Sequence, residues 1–259
     1  MQIAVLVKHT PDTAELPGIA VADVASGDIN ANAGINPWDE FAVEEAIDLA
    51  SRFSGDSTAI TMGKSDAEDA LRHALAMGVK GAAMVACDNA HELDLWTAAD
   101  LLAGAVKSQG DVDVVLAGKQ SVDGNSGVLF VGVAQKLGMP LLVNVSKIVD
   151  IADGTITVER IVGNNQEVLT APTPVVISVA KEINEPRYPS IIGIRKAKRV
   201  KIASMTAADL GVDTSSGATS WTNLRKPEAR NAAVQFMEGD SLEEKAVKLV
   251  DALMAEKVI

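Results

Sequence analysis

The sequence has little of what builds metal centres, disulfides or membrane anchors. Cys87 is the only cysteine among 259 residues, which excludes an internal disulfide and a cysteine-based zinc site and indicates a reducing compartment. The three histidines, His9, His73 and His91, are far apart in the chain. No hydrophobic run approaches the roughly 20 residues that a membrane-spanning helix needs. We therefore expect a cytoplasmic protein without a metal site.

The motifs of stand-alone nucleotide enzymes and of serine hydrolases are also missing. The chain has no Walker A loop, no Gly-x-Gly-x-x-Gly and no Gly-x-Ser-x-Gly pattern. Its net charge of −12 disfavours binding to nucleic acid or to anionic membrane surfaces. These absences predict a protein without catalytic residues of its own, without a nucleic-acid partner and without insertion into a membrane.

Strand and helix patterns alternate through about the first 140 residues. Aromatic residues make up only 3% of the chain, so alanine and branched aliphatic residues must form the core. Residues 3–7 have the continuous apolar pattern of a buried strand. Asn36 and Pro37 predict the start of a helix that runs to about Phe53, with Asn36 as its cap. The alternation predicts an α/β fold with a doubly wound, mostly parallel sheet.

The pattern changes after residue 140. Residues 148–151 and 155–161, separated by Asp153-Gly154, predict an antiparallel hairpin. Residues 214–223, rich in Ser, Thr and Gly, predict an extended arm. A single terminal helix is marginal alone in water, so its apolar stripe predicts a docking partner. We therefore expect an α/β domain of residues 1–202 and an arm of residues 203–259 with a helix whose stripe is Leu242, Ala246, Leu249, Val250 and Leu253.

The loop of residues 118–127 is a candidate phosphate site. It follows a predicted buried strand and leads into a helix predicted from Gly127, which is where open α/β sheets bind ligands. Its small residues allow backbone N–H groups to approach an anion, and Ser126 adds a hydroxyl at the helix start. An ordinary polar loop with a serine cap has the same pattern, so both interpretations stay open at this point.

Residues 186–201 form a basic segment in an acidic protein, with six basic and no acidic side chains. Such a run is usually a solvated face. Here Ile191, Ile192 and Gly193 lie within it. An apolar anchor with a basic rim is typical of a partner-binding loop.

Several motifs, in the same order along the chain, resemble those of electron-transfer flavoprotein beta subunits. The resemblance covers the chain from its first strand to about residue 212, and the tail matches only in type. The most specific stretch is Val158-Glu159-Arg160, then Asn184-Glu185-Pro186-Arg187-Tyr188, then Lys196-Ala197-Lys198. The other matching motifs are Val7-Lys8, Asn36-Pro37-x-x-Glu40, Arg72-x-Ala74-Leu75-Ala76-Met77-Gly78, Gly118-Lys119-Gln120 and Ala208-Asp209-Leu210-Gly211-Val212.

The resemblance implies an adenine-nucleotide-binding fold in a heterodimer whose alpha subunit holds the redox-active FAD. It implies that this subunit binds AMP, or a second FAD in the same cleft if the protein is electron-bifurcating. The loop after Asp123 is close in length to that of bifurcating members, but its sequence, Asp123-Gly124-Asn125-Ser126-Gly127-Val128, departs from their Asp-Gly-Asp-Thr-Ala-Gln pattern. We therefore favour AMP and keep a second FAD as the alternative. Carried over position by position, the nucleotide contacts are Leu6, Asn36, Pro37, Trp38, Asp39, Met62, Gly118, Lys119, Gln120, Asp123, Gly124, Asn125, Ser126, Gly127 and Val128.

The resemblance also implies two kinds of protein partner, the alpha subunit and flavin-dependent dehydrogenases. The family has a recognition loop that anchors dehydrogenases through one apolar side chain, and Ile191 stands at this position. Together with the basic segment, this predicts a partner-binding surface made of Tyr188, Ile191, Ile192, Arg195, Lys196, Lys198 and Arg199.

Two other functions are open to such a fold. A stand-alone enzyme that binds or hydrolyses adenine nucleotides would need acidic metal ligands, for which Asp12, Asp39 and Asp123 are available. A purely structural assembly partner would have an empty cleft. The resemblance favours an electron-carrier subunit over both.

Overall fold

The computed structural model describes residues 1–215, 222–227 and 234–259. The chain divides into two compact units, Met1–Leu224 and Arg225–Ile259. The strands are β1 (Gln2–Leu6), β2 (His9–Pro11), β3 (Ala33–Ile35), β4 (Asp56–Gly63), β5 (Gly81–Ala86), β6 (Val114–Gly118), β7 (Leu141–Ala152), β8 (Thr155–Val162), β9 (Asn165–Pro172), β10 (Val175–Val179) and β11 (Ala203–Thr206). The helices are α1 (Val21–Ser26), α2 (Pro37–Arg52), α3 (Glu68–Met77), α4 (Leu95–Lys107), α5 (Leu129–Leu137), α6 (Ile191–Ala197) and α7 (Leu242–Ala255).

Most of the described strands belong to one sheet, in the order β11-β5-β4-β1-β6-β10-β7-β8-β9. The strands from β11 to β7 pair in parallel, and β8 and β9 extend the sheet in antiparallel pairing. A separate antiparallel pair is formed by β2 and β3. The predicted α/β fold with a mostly parallel sheet and an antiparallel hairpin is therefore confirmed.

Helices cover both faces of the parallel part of the sheet. Alternate residues of a strand point to opposite faces, so Ile3 and Val5 of β1 pack under α2 and α3, whereas Ala4 and Leu6 pack under α4 and α5. The largest fully buried side chains are aliphatic, as the low aromatic content predicts: Leu49, Ile60, Leu71, Leu101, Leu116, Ile156, Ile177, Val5, Val43, Val85, Val106 and Val114.

The hairpin after residue 140 is longer than its predicted strands. Leu141 and Leu142 already pair with β10, so β7 begins before residue 148 and joins the parallel part of the sheet to the hairpin. Asp153 and Gly154 have φ values of 50° and 74°, as a two-residue turn between twisted strands requires. The turn predicted at Asp153-Gly154 is therefore confirmed.

The chain from residue 203 onward begins with a strand. Ala203–Thr206 forms β11, which pairs in parallel with β5 at the edge of the sheet. The predicted boundary after residue 202 falls immediately before this strand, and the first compact unit extends to Leu224. Most of the predicted arm, residues 214–223, lies outside the described residues.

The second unit contains α7, which Ser241 caps. Ser241 Oγ accepts a hydrogen bond of 3.1 Å from the Glu244 backbone N–H. The helix has no buried residue, and Leu242 at its start is 85% exposed. None of the helices in the described ranges has the length and apolar character needed to cross a membrane.

Candidate functional site

The strand order reverses direction between β1 and β6. These strands are neighbours in the sheet, but the chain continues from β1 to β4 on one side and from β6 to β7 on the other. Open α/β sheets bind ligands outside the carboxyl ends of strands at such a reversal. Three segments meet there: the end of β1, the start of α2 and the loop of residues 118–128, which we call the cleft loop.

Asp39 at the start of α2 is buried between the two strand ends. Its carboxylate accepts a hydrogen bond of 2.8 Å from the Lys8 backbone N–H, which follows β1. Burial raises the pKa of Asp39 to about 7, although hydrogen bonds from Lys8, Asn36 and Gly118 act to lower it. Gly118 permits this close approach, because a Cβ there would collide with the Asp39 carboxylate and lie 2.7 Å from the Trp38 backbone.

Asn36 connects the start of α2 to the cleft loop. Its Nδ2 donates to the Gln120 carbonyl at 2.8 Å, and its Oδ1 accepts from the Val122 N–H at 3.1 Å. We had predicted that the Asn36 side chain caps α2, but it makes no capping hydrogen bond. The cap prediction is wrong because both polar atoms of this buried amide are committed to the cleft loop, for which the local sequence gives no signal.

A third link joins Lys8 to Asp123 in the cleft loop. Lys8 Nζ lies 2.8 and 2.7 Å from the two carboxylate oxygens of Asp123. Burial acts to raise the pKa of Asp123, but the charge and hydrogen bonds of Lys8 hold it below its ordinary value. Asp123 also accepts from the Gly124 N–H at 2.6 Å. The cleft loop is thus fastened to β1 and α2 at three places.

These links leave a row of free backbone donors at the end of the cleft loop. The N–H groups of Val122, Gly124 and Asn125 have acceptors within the site. Within the described residues, those of Ser126, Gly127 and Val128 have none. Asn125 and Gly127 have φ values of 50° and 62°, and alternation of this kind forms an anion-binding concavity. The free donors therefore lie at the end of the predicted phosphate loop of residues 118–127 and at the residue directly after it.

The helix after the cleft loop begins later than predicted. It starts at Leu129, not at Gly127, because Gly127 has a left-handed backbone that a helix excludes. Val128 occupies the cap position, and Ser126 makes no capping hydrogen bond. The positive end of α5 therefore adjoins the free N–H groups.

The remaining predicted nucleotide contacts lie at strand ends, at the start of α2 and in the cleft loop. Leu6 and Met62 lie at the carboxyl ends of neighbouring strands, where Leu6 is buried and Met62 is half-buried. Pro37 and Trp38 form the first turn of α2. Lys119 Nζ lies 5.8 Å from the centre of the Trp38 ring, within reach of a cation–π interaction.

The predicted partner-binding residues lie on and beside α6, away from the cleft loop in sequence. Tyr188, Ile191 and Ile192 are 95%, 72% and 67% exposed. The side chains of the four basic residues are also exposed and form no ion pair within the described part of the chain: Arg195, Lys196, Lys198 and Arg199. Ile191 therefore does not belong to the hydrophobic core of the first unit.

Sequence reasoning left Lys8 out of the site, and it included Ser121 and Val122 only as members of the loop of residues 118–127, without a contact of their own. The signal available for Lys8 was its place directly after the first buried strand. Ser121 and Val122 had no signal, because their role depends on the backbone path of the loop. Asp12, Asp39 and Asp123 do not come together as metal ligands, and the described residues contain no cluster of side chains that could hold a metal ion.

Comparisons with known proteins agree with these features. A family model described as "Electron transfer flavoprotein domain" matches residues 28–210. The chain is 33% identical to "Electron transfer flavoprotein subunit beta" of Bacillus subtilis (strain 168), over 100% of both chains. It is 38% identical to the protein of the same name from Thermoanaerobacterium thermosaccharolyticum, over 82% of this chain and 81% of the relative. It is 31% identical to "Protein FixA" of Bradyrhizobium diazoefficiens, over 98% of this chain and 91% of the relative.

The names of the Bacillus and Thermoanaerobacterium relatives describe electron transfer and not the catalysis of a reaction. They confirm the prediction of an electron-carrier subunit over the prediction of a stand-alone nucleotide enzyme. The family match covers more than half of the chain and includes the start of α2, the cleft loop and α6. The chain therefore belongs to the family of electron transfer flavoprotein beta subunits.

Proposed function

We propose that this subunit binds an adenine nucleotide at the carboxyl ends of β1 and β6. The phosphate would accept hydrogen bonds from the N–H groups of Ser126, Gly127 and Val128, at the positive end of α5. The other contacts would come from the residues around the cleft loop that the family resemblance indicates. Three unused donors in a left-handed turn are the observation that carries this proposal.

AMP is the nucleotide that we favour. The sequence from Asp123 to Val128 differs from the bifurcating pattern, and AMP needs only one phosphate contact region. A second FAD in the same cleft is the alternative, and it would make the protein electron-bifurcating. In either case the redox-active FAD is held mainly by the alpha subunit, so that this subunit supplies shape and electric field rather than chemistry.

We assign the exposed apolar surfaces to two protein partners. The α6 helix, which we call the docking helix, would insert Ile191 into a dehydrogenase, with Ile192 and Tyr188 beside it. The basic residues Arg195, Lys196, Lys198 and Arg199 would steer the approach of the dehydrogenase. The apolar stripe of α7 would dock on the alpha subunit. We propose the cytoplasm as the place where this heterodimer works.

The nucleotide assignment is tested by co-expressing the chain with its alpha subunit and analysing the purified heterodimer. After denaturation, the released nucleotides are separated by chromatography and identified by mass spectrometry. We expect AMP and FAD in equal amounts. Twice as much FAD as protein, without AMP, would show the bifurcating form. FAD equal to the protein, with no AMP, would mean that the cleft is empty and the proposal is wrong.

A further inference from the structure

The docking helix is short, and its conformation depends on contacts with the rest of the first unit. It has seven residues, too few for a helix to be stable alone in water. Polar contacts with α2 and α3 hold the chain before it and after it. If this helix docks a dehydrogenase, as proposed above, the residues that hold it in place affect that docking.

The segment before the docking helix is tied to α2. Asn184 Nδ2 donates to the Phe41 carbonyl and to Glu45, each at 3.1 Å. Arg187 donates to Glu44 from its backbone N–H and from its guanidinium, with Nε–Oε2 at 2.8 Å and Nη2–Oε1 at 2.6 Å. The Glu44 side chain is only 12% exposed. Such a forked pair fixes orientation as well as distance.

The segment after the docking helix is tied to α3 by Arg72. Its Nη1 donates to the carbonyl of Ala197 and, at 2.7 Å, to that of Val200. Glu68, one turn earlier on α3, pairs with the same guanidinium. Between the two ties, Gly193 allows the docking helix to lie directly on α3, because a Cβ there would collide with the Ala76 carbonyl oxygen.

These contacts decide which side chains the docking helix presents outward. Ala197 is buried against the core, whereas Ile191 and Ile192 are largely exposed. An apolar anchor that is already ordered loses less conformational entropy when it enters a partner's pocket. A loop that is held in place therefore binds more tightly than the same side chains on a mobile segment.

We propose that Glu44, Arg187 and Arg72 are positioning residues for dehydrogenase docking. They hold the docking helix in its binding conformation before the partner arrives, and they act through the helix without touching the partner. The partner that fits this surface is a protein with an apolar pocket and an acidic surround, because the anchor is aliphatic and its neighbours are basic.

The test compares Glu44→Gln, Arg187→Gln and the double variant in the purified heterodimer. Amide hydrogen exchange of residues 188–199 reports the order of the docking helix without a partner. The bimolecular rate of flavin reduction, by a dehydrogenase that reduces the unmodified heterodimer, reports docking. We expect faster exchange in each variant and docking slowed by about 3- to 10-fold, the effect of ordering one or two side chains. In the double variant, flavin reduction should be no slower than in the slower of the two single variants, because each substitution removes the same ion pair.

A matched control is Lys136→Gln, which removes a 2.7 Å ion pair with Asp100 between α4 and α5 on the opposite face of the sheet. It should change neither measurement. Unchanged exchange in both single variants would overturn the proposal. Slower docking in Arg187→Gln with normal docking in Glu44→Gln would also overturn it, because Arg187 would then contact the partner itself. If Ile191→Ala leaves docking unaltered, the docking function is wrong, while the exchange data still decide whether the pair orders the helix.

Discussion

The cleft between β1 and β6 and the surface of the docking helix differ in what they offer to a ligand. The cleft commits its buried side chains, such as Asn36 and Asp39, to the backbone and leaves the N–H groups of residues 126–128 without an acceptor in the described part of the chain. The docking helix uses polar side chains beneath it and leaves isoleucines exposed. The first arrangement suits a small anion, and the second suits an apolar pocket of another protein. Both regions contact α2. Its first turn lies at the cleft, and its residues Phe41, Glu44 and Glu45 bind the segment before the docking helix.

The largest effect should come from removing the second unit. A chain that ends at Leu224 keeps all the buried residues that form the hydrophobic core on each face of the sheet. Its melting temperature should therefore stay near that of the full chain. Association with the alpha subunit should weaken by about 100-fold or more, because several apolar side chains of α7 lose their burial at about 1.5–3 kcal/mol each. Gel filtration at low concentration measures this. A full-length Leu242→Ser/Leu249→Ser variant should behave in the same direction, and an intact heterodimer in both would contradict the role of the stripe.

The next effect concerns the anchor of the docking helix. Ile191→Ala should slow flavin reduction by the dehydrogenase by roughly 10- to 100-fold, from the loss of about 1.5–3 kcal/mol of burial in the partner. The melting temperature should not change, because Ile191 is 72% exposed in this chain. Val168→Ala, which shortens another exposed aliphatic residue on β9, serves as the control and should alter neither value. A lower melting temperature with normal reduction would assign Ile191 to folding.

A smaller effect is expected in the cleft. Gly127→Ala places a side chain at a φ of 62°, which costs about 1–2 kcal/mol in the left-handed region. We expect this strain to move the free N–H groups and to weaken nucleotide binding by about tenfold. Calorimetric titration of AMP into the nucleotide-free heterodimer measures the change. Gly154→Ala is the control, because Gly154 in the turn between β7 and β8 has a similar φ of 74° and nothing lies within 4 Å of the position of its Cβ. Equal losses in both variants would contradict the placement of the donors.

The last effect concerns Asp39 and depends on pH. Its pKa is raised from 3.8 to about 7 on folding, so between these values the folded chain binds a proton that the unfolded chain releases. This contribution to stability is fully present below pH 3.8 and is lost as the pH rises through about 7, by at most about 1.4 kcal/mol per pH unit. Asp39→Asn should flatten the fall between pH 5 and 7 in urea unfolding experiments. Parallel curves for the variant and the natural chain would show that Asp39 does not titrate in this range.

The sequence predicted the elements of the sheet better than the contacts between them. Apolar runs and Asp153-Gly154 indicated the strands and the hairpin turn, because these depend on local periodicity and turn chemistry. The start of β7 was missed because Leu141 and Leu142 pair with β10, which is distant in sequence. Asn36 was assigned to a cap for the same reason: its partners Gln120 and Val122 come close only when the sheet is complete.

The position of the docking helix within the chain limits how its specificity can evolve. Residues 180–202 form the connection from β10, inside the sheet, across to β11 at its edge. This connection is fastened before and after the helix, at Arg187 and at Ala197. Insertions or deletions there would disturb the ties or the pairing of β11 with β5. Relatives that serve different dehydrogenases should therefore differ in the identity of the exposed side chains at positions 188–199, and should keep the length of this segment.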